Sequence, residues 1–153
     1  MSKNTESDAF RKLRVELFDG EETYQDDKTA SGGDSAAVAA KETKCRELVN
    51  QQSSPDALKI ALADPPLGGD DALKDRAYRV VMDVLNAIKS SEIKNTVSTL
   101  SPEEKDVLMK YVYRGMAAAE DGLSASLLLW HGAIVAESGL GSIVRVLSDR
   151  KTV

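Results

Sequence analysis

The sequence Ser101-Pro102-Glu103-Glu104 is the strongest local structural signal in this chain. Ser101 can cap a helix, Pro102 suits the first helical turn, and the Glu104 carboxylate can reach back to the capping residue. This capping box predicts that a helix begins here. The apolar residues that follow share one helical face, which indicates that this face is buried: Val107, Leu108, Tyr111 and Val112.

Comparable patterns divide residues 36–153 into about seven helices and predict no strand. Aromatic residues make up only 5% of the chain, and abundant Ala, Leu, Lys and Glu favour helix over sheet. The clearest periodicity lies between about Asp70 and Lys89, where seven apolar residues are spaced by three or four. The other helices are expected from Ala36, Ser54, Ser91, Ser101, Ser124 and Ser142. Because the connections are short, this all-α fold is expected to be an α-solenoid or an irregular bundle.

The helix expected from Ser124 to Glu137 is apolar on almost every side, and we expect neighbours to bury it on several sides. It contains the only Trp and the only His of the chain, Trp130 and His131. We interpret both as packing or interface residues. A helix of this kind also indicates that part of the core surface contacts another protein.

The first 35 residues differ in composition from the rest. They hold five Lys/Arg and nine Asp/Glu, and so carry four of the five net negative charges of the chain. No helical stripe runs through them, which predicts an extended, mostly unstructured segment. Aromatic residues lie among the charges, so this segment either folds onto a partner or is a solvated spacer. The domain boundary is therefore expected between residues 35 and 36.

Candidate catalytic and metal sites are weak. Ser126 and His131 are five residues apart on one helix, which does not place them side by side, and Ser142 lacks the Gly-x-Ser-x-Gly elbow. Gly139-Leu140-Gly141-Ser142 lacks the third glycine and the preceding strand of a dinucleotide loop. One His and one Cys far apart make no metal ligand set, and we expect no metal and no cofactor. Cys45 lies on an apolar stripe and is expected to be a core residue.

Charge and hydropathy exclude several other classes of protein. Residues 36–153 are nearly neutral, which argues against nucleic acid as the main partner. The apolar run Leu127 to Trp130 is far too short to span a bilayer, and no secretory signal is expected from the first ten residues. A lone cysteine fits a reducing, cytoplasmic compartment.

Several stretches resemble subunit 5 of the actin-related protein 2/3 complex, a family of small α-helical subunits. In the C-terminal half the stretches are 108–115, Leu128-Leu129-Trp130-His131, 139–147 and 150–153. Residues 1–5, 10–12, 64–66 and 74–77 extend the resemblance over nearly the whole chain. The stretch from Leu13 to Phe18 departs from the family pattern, because it has a base and an apolar residue where the family is usually acidic.

The resemblance implies a fold and a function. The fold would be an α-α superhelix, and the protein would be a non-enzymatic subunit of an assembly that nucleates branched actin filaments. The core would pack on a β-propeller (WD-repeat) subunit and on subunit 4. The N-terminal segment would tether actin-related protein 2 through six residues: Phe10, Arg11, Lys12, Val15, Phe18 and Tyr24. Tyr113, Trp130, His131 and Arg145 are the predicted docking residues of the core.

Two other classes remain open from the residues alone. One is a helical scaffold unrelated to actin, which predicts a stable monomer with no large exposed apolar face. The other is a small hydrolase that uses Ser126 or Ser142 with His131. The resemblance to a subunit of this assembly further implies that the protein is located in cytoplasmic actin networks and does not insert into membranes. It also implies that the whole assembly binds actin filaments.

Overall fold

The computed structural model describes residues 35–67, 70–118 and 124–153. Every regular element in these ranges is an α-helix, which confirms the all-α prediction. Residues 1–34, which are all but the last residue of the segment predicted to be extended, lie outside these ranges. The first helix begins at Ser35, one residue before the predicted domain boundary. The helices of the described ranges are α1 (Ser35–Asn50), α2 (Ser54–Leu62), α3 (Asp71–Ala87), α4 (Ile93–Ser98), α5 (Pro102–Ala118), α6 (Ser124–Ser138) and α7 (Leu140–Ser148).

The capping box at the start of α5 is formed as predicted. The backbone N–H of Ser101 donates to Oε2 of Glu104 at 2.7 Å, and the backbone N–H of Glu104 donates to Oγ of Ser101 at 3.2 Å. These reciprocal bonds satisfy two backbone donors at the start of the helix. They set the start of α5, on which both of the last two helices pack.

Besides α1, three predicted helix starts differ from the structure by one or two residues. Ser54 before Pro55 is typical of a capping residue, but Ser54 is itself the first residue of α2, and Ser53 precedes it without a side-chain capping bond. Helix α4 begins at Ile93 rather than at Ser91. Helix α7 begins at Leu140, two residues before its predicted start at Ser142, because the chain turns at Gly139.

Helix α3 buries more of its surface than its apolar stripe predicts. Val80, Val81, Val84 and Leu85 are buried as expected, and Ile88 is buried just beyond the helix. Tyr78, Met82 and the stem of Lys74 are buried as well. Helices α1 and α2 pack against α3, and α5 also contacts it, so a single stripe could not satisfy all its neighbours.

The helices pack in two overlapping groups that form the superhelix. Helices α1, α2 and α3 contact one another, while α5, α6 and α7 form a second group, with α4 against α6. Contacts of α2 and α3 with α5 join the groups, and one continuous hydrophobic core runs through both. No single helix in the described ranges is long and apolar enough to cross a membrane. Helices α6 and α7 reach the necessary length and composition only as a pair, which is bent by 109°.

Candidate docking surface

Helix α6 is buried on one side only, which corrects the expectation that neighbours bury it on several sides. Leu127, Trp130 and Ile134 point into the core. Leu128 and Leu129, on the other side, are 62% and 53% exposed. The reason is the position of α6, which packs on α4, α5 and α7 and is open to solvent on its remaining face. The sequence of α6 does not distinguish the two sides, because both are apolar.

Helix α7 also presents an apolar stripe to solvent. Leu140, Val144 and Leu147 are spaced by four and three residues and are 72%, 64% and 70% exposed. Val146 and Ser142 occupy the inner face. All the large apolar residues that are exposed in the described part of the chain therefore lie on α6 and α7. We call these five residues the apolar face: Leu128, Leu129, Leu140, Val144 and Leu147.

Gly139 makes the corner between these two helices. Its φ of 70° with a ψ of −176° is a backbone conformation that residues with a Cβ rarely adopt. Its N–H donates to the Val135 carbonyl at 2.9 Å, and its carbonyl accepts a bond of 2.9 Å from Oγ of Ser142. The glycine-rich sequence is thus a turn between helices, as the missing third glycine indicated.

A groove and a cleft flank the apolar face. The groove, of about 350 Å³, lies beside α4 and α6, with Ile93, Lys94, Leu128 and Gly132 among its lining residues. The second, which we call the C-terminal cleft, has about 370 Å³ and lies between α5, α7 and the last residues. Ten residues line the C-terminal cleft: Lys110, Tyr113, Arg114, Ala117, Val146, Leu147, Asp149, Lys151, Thr152 and Val153.

Three basic side chains hold the last residues of the chain against α3 and α5. Lys110 donates to Oδ2 of Asp149 at 2.6 Å and to the Lys151 carbonyl at 2.8 Å. Arg114 donates to the Val153 carbonyl at 2.9 Å and also pairs with Asp75. Lys74 donates to Oγ1 of Thr152 at 3.1 Å. The hydrogen bond from Lys110 is the largest cause that lowers the pKa of Asp149.

The predicted docking residues occupy different environments. Trp130 is fully buried in the core, where it is a packing residue of the free chain and presents no surface to a partner. Tyr113 and His131 are half-buried, and their rings meet edge to face with Oη of Tyr113 3.2 Å from Nε2 of His131. Arg145 is exposed and donates two hydrogen bonds to Asp106, which raise the pKa of its guanidinium.

The candidate catalytic serines are not paired with His131 in the structure. Oγ of Ser142 bonds to the Gly139 carbonyl, and Nε2 of His131 is engaged with Tyr113. Cys45 is buried on α1, and burial raises the pKa of its thiol, as expected of a core residue. Within residues 35–67, 70–118 and 124–153, no three His, Cys, Asp or Glu residues are grouped to hold a metal ion.

The six predicted tether residues, Phe10, Arg11, Lys12, Val15, Phe18 and Tyr24, lie outside the described residues. The five residues of the apolar face were not predicted as a site. The α7 part of this face could have been predicted from helical periodicity. Leu140, Val144 and Leu147 are spaced by four and three residues and so share one side of the helix, whereas Ser142 and Val146 lie on the other. An all-helical core with exposed apolar residues and no grouped metal ligands among the described residues is typical of proteins that dock on other proteins.

Comparison with known proteins agrees with this class. The family model of the ARP2/3 complex 16 kDa subunit (p16-Arc) matches residues 9–153. The chain is 38% identical over 154 residues to actin-related protein 2/3 complex subunit 5-C of Xenopus laevis and to the human subunit 5-like protein, with all of each chain covered. It is 38% identical over 138 residues to actin-related protein 2/3 complex subunit 5 of Dictyostelium discoideum, covering 85% of this chain and 99% of the relative. The chain therefore belongs to the p16-Arc family.

Proposed function

We propose that this chain is a non-catalytic structural subunit of the actin-related protein 2/3 complex. Its core docks through the apolar face, and its N-terminal segment tethers actin-related protein 2. The carrying observation is that the large exposed apolar residues of the described chain all lie on two successive helices, α6 and α7, in a member of a family named for that complex. A scaffold without an exposed apolar face, the alternative left open above, does not fit this surface.

The apolar face has the properties of a docking surface rather than of a reactive site. Five large aliphatic side chains expose more than half of their surface, which is costly in water and becomes favourable when a partner covers them. Arg145 of α7 is already paired with Asp106. The partners proposed for this face are the β-propeller subunit and subunit 4, as the family resemblance implies.

The tether proposal rests on the extent of the family match. The matched residues begin at 9, so they include the segment with Phe10, Arg11, Lys12, Val15, Phe18 and Tyr24. A segment that is bound at one end and linked to a docked core keeps its partner at a high local concentration without fixing its orientation. The partner is then retained while it moves, as activation of a nucleating assembly requires. As a subunit of this complex, the protein would be located in the cytoplasmic actin network.

A co-purification experiment separates the two parts of this proposal. Tagged full-length chain expressed in cells should recover both actin-related proteins and the β-propeller subunit. A chain lacking residues 1–34 should recover the β-propeller subunit equally but retain less actin-related protein 2, because α1 begins only at Ser35. Equal recovery of actin-related protein 2 by both chains would contradict the tether. Absence of all complex subunits from the full-length sample would contradict the proposed function itself.

A further inference from the structure

The C-terminal cleft combines an apolar floor with a positive rim. Ala117, Val146, Leu147 and Val153 supply apolar surface, and Leu147 is mostly exposed. Lys110, Arg114 and Lys151 line the cleft with one acidic side chain, Asp149, which pairs with Lys110, while Arg114 pairs with Asp75 outside the lining. One further base, Lys74, lies beside the cleft through its bond to Thr152. A ligand that fits this surface presents apolar side chains next to carboxylates.

Residues 16–27 of the same chain have this composition. They contain six acids, Glu16, Asp19, Glu21, Glu22, Asp26 and Asp27, and no Lys or Arg. Leu17, Phe18 and Tyr24 stand among these acids. The segment therefore complements the cleft in charge and supplies aromatic anchors for its floor.

The start of α1 is connected to the cleft by a short series of contacts. Glu42, two turns into α1, accepts two hydrogen bonds from Arg76 of α3. Two residues before Arg76, Lys74 bonds to Thr152 in the cleft. The path from Ser35 to Thr152 thus consists of two helical stretches, at about 1.5 Å per residue, and two pairs of bonded side chains, and its length is roughly 30 Å. Phe18 lies 17 residues before Ser35, a distance that an extended chain spans up to roughly 56 Å.

We propose that in the free subunit residues 16–27 bind the C-terminal cleft of their own chain. Phe18 and Tyr24 cover the apolar floor beside Leu147, and the acids face Lys151 and its basic neighbours. The contact shields the α7 end of the apolar face before assembly. It also holds the segment away from other partners until the core has docked. This inference goes beyond the proposed function and concerns the subunit outside any complex.

Carbodiimide cross-linking of the purified full-length chain tests the contact, because this reagent joins only carboxylates and amines that touch. Lys151 reports on the cleft, whereas Lys44 is exposed on α1 and lies nearer to the segment along the chain. A bound segment should link its acids to Lys151 about tenfold more often than to Lys44. An unattached segment should react most with Lys44. Links that favour Lys44, or that are equal at both lysines, would overturn the proposal.

Two controls identify the occupant and its anchors. In an equal mixture of ¹⁴N-labelled and ¹⁵N-labelled chains, links to Lys151 should join peptides of the same label. Links mainly between different labels would mean that a second copy fills the cleft and would overturn binding in cis. The variant Phe18→Ser with Tyr24→Ser, which leaves the helical core unchanged, should lower the Lys151 links about tenfold. The matched variant Thr23→Ala with Gln25→Ala should keep them, and an unchanged yield in the first variant would also refute the proposal.

Discussion

Gly115 of α5 and Leu127 of α6 meet where these two helices pack together. A Cβ atom on Gly115 would lie 2.8 Å from Cδ1 of Leu127, with the Tyr78 hydroxyl and the Met82 sulfur at 3.4 and 3.5 Å. Gly115 therefore allows α3, α5 and α6 to approach at one point. This approach seats α6 on the core and leaves its opposite side, with Leu128 and Leu129, in solvent.

Substitution of Gly115 should destabilise the fold even though alanine favours helix. We expect Gly115→Ala to cost about 1–3 kcal/mol in urea unfolding, because the added methyl group forces Leu127 or its helix to shift. Gly132→Ala is the matched control, since nothing lies within 4 Å of the added atom, and it should be neutral or stabilise by up to about 1 kcal/mol. Equal effects of the two substitutions would show that the contact at Gly115 is not tight.

Trp130 should contribute to stability rather than to binding. Its side chain is fully buried, so Trp130→Ala should cost about 3–5 kcal/mol and lower the melting temperature of the free chain. Leu129→Ala, on the exposed side of the same helix, should change stability by less than about 1 kcal/mol. Thermal melts of both purified variants provide the measurement. A Trp130 variant that melts with the wild type would place this residue outside the core.

The Tyr111 hydroxyl should make stability depend on pH in the alkaline range. Burial raises its pKa to about 12, while the neighbouring Arg114 charge opposes the rise. The folded state holds this proton more tightly than the unfolded chain does. Its contribution is therefore complete below about pH 10 and is lost as the pH rises through about 12, by roughly 2–3 kcal/mol.

Tyr111→Phe isolates this effect. The hydroxyl has no hydrogen-bond partner among the described residues, so its removal should change stability at neutral pH by less than about 1 kcal/mol. Urea unfolding between about pH 9 and about pH 12 should show a smaller decline for this variant than for the wild type. Parallel curves would mean that Tyr111 ionises at the same pH in both states.

Local sequence signals were sufficient wherever a helix has one polar and one apolar side. The capping box at Ser101 and Glu104 and the stripe from Val80 to Ile88 predicted the structure correctly, because both depend on residues close in sequence. Helix α6 could not be resolved in this way. Its two sides are equally apolar, so only the positions of α4, α5 and α7 decide that Trp130 is buried and Leu129 is exposed.

The contacts of the last residues were beyond sequence reasoning for a different reason. Lys74 and Thr152 bond across 78 positions, and Arg114 and Val153 across 39. Such pairs depend on how the superhelix brings α3, α5 and the chain end together. No periodicity within one helix encodes that arrangement, so the C-terminal cleft was not expected.

The central claim is that the apolar face holds this chain in the complex. Its most direct test is co-purification of the β-propeller subunit and subunit 4 with the variant Leu140→Glu and Val144→Glu. Both residues are exposed, so the free variant should melt like the wild type, and Asn86→Glu with Ala87→Glu is a matched control at exposed positions of α3. We predict at least a tenfold loss of both subunits from the α7 variant, equivalent to about 1.4 kcal/mol, and none from the control. Full recovery by a folded α7 variant would contradict the account.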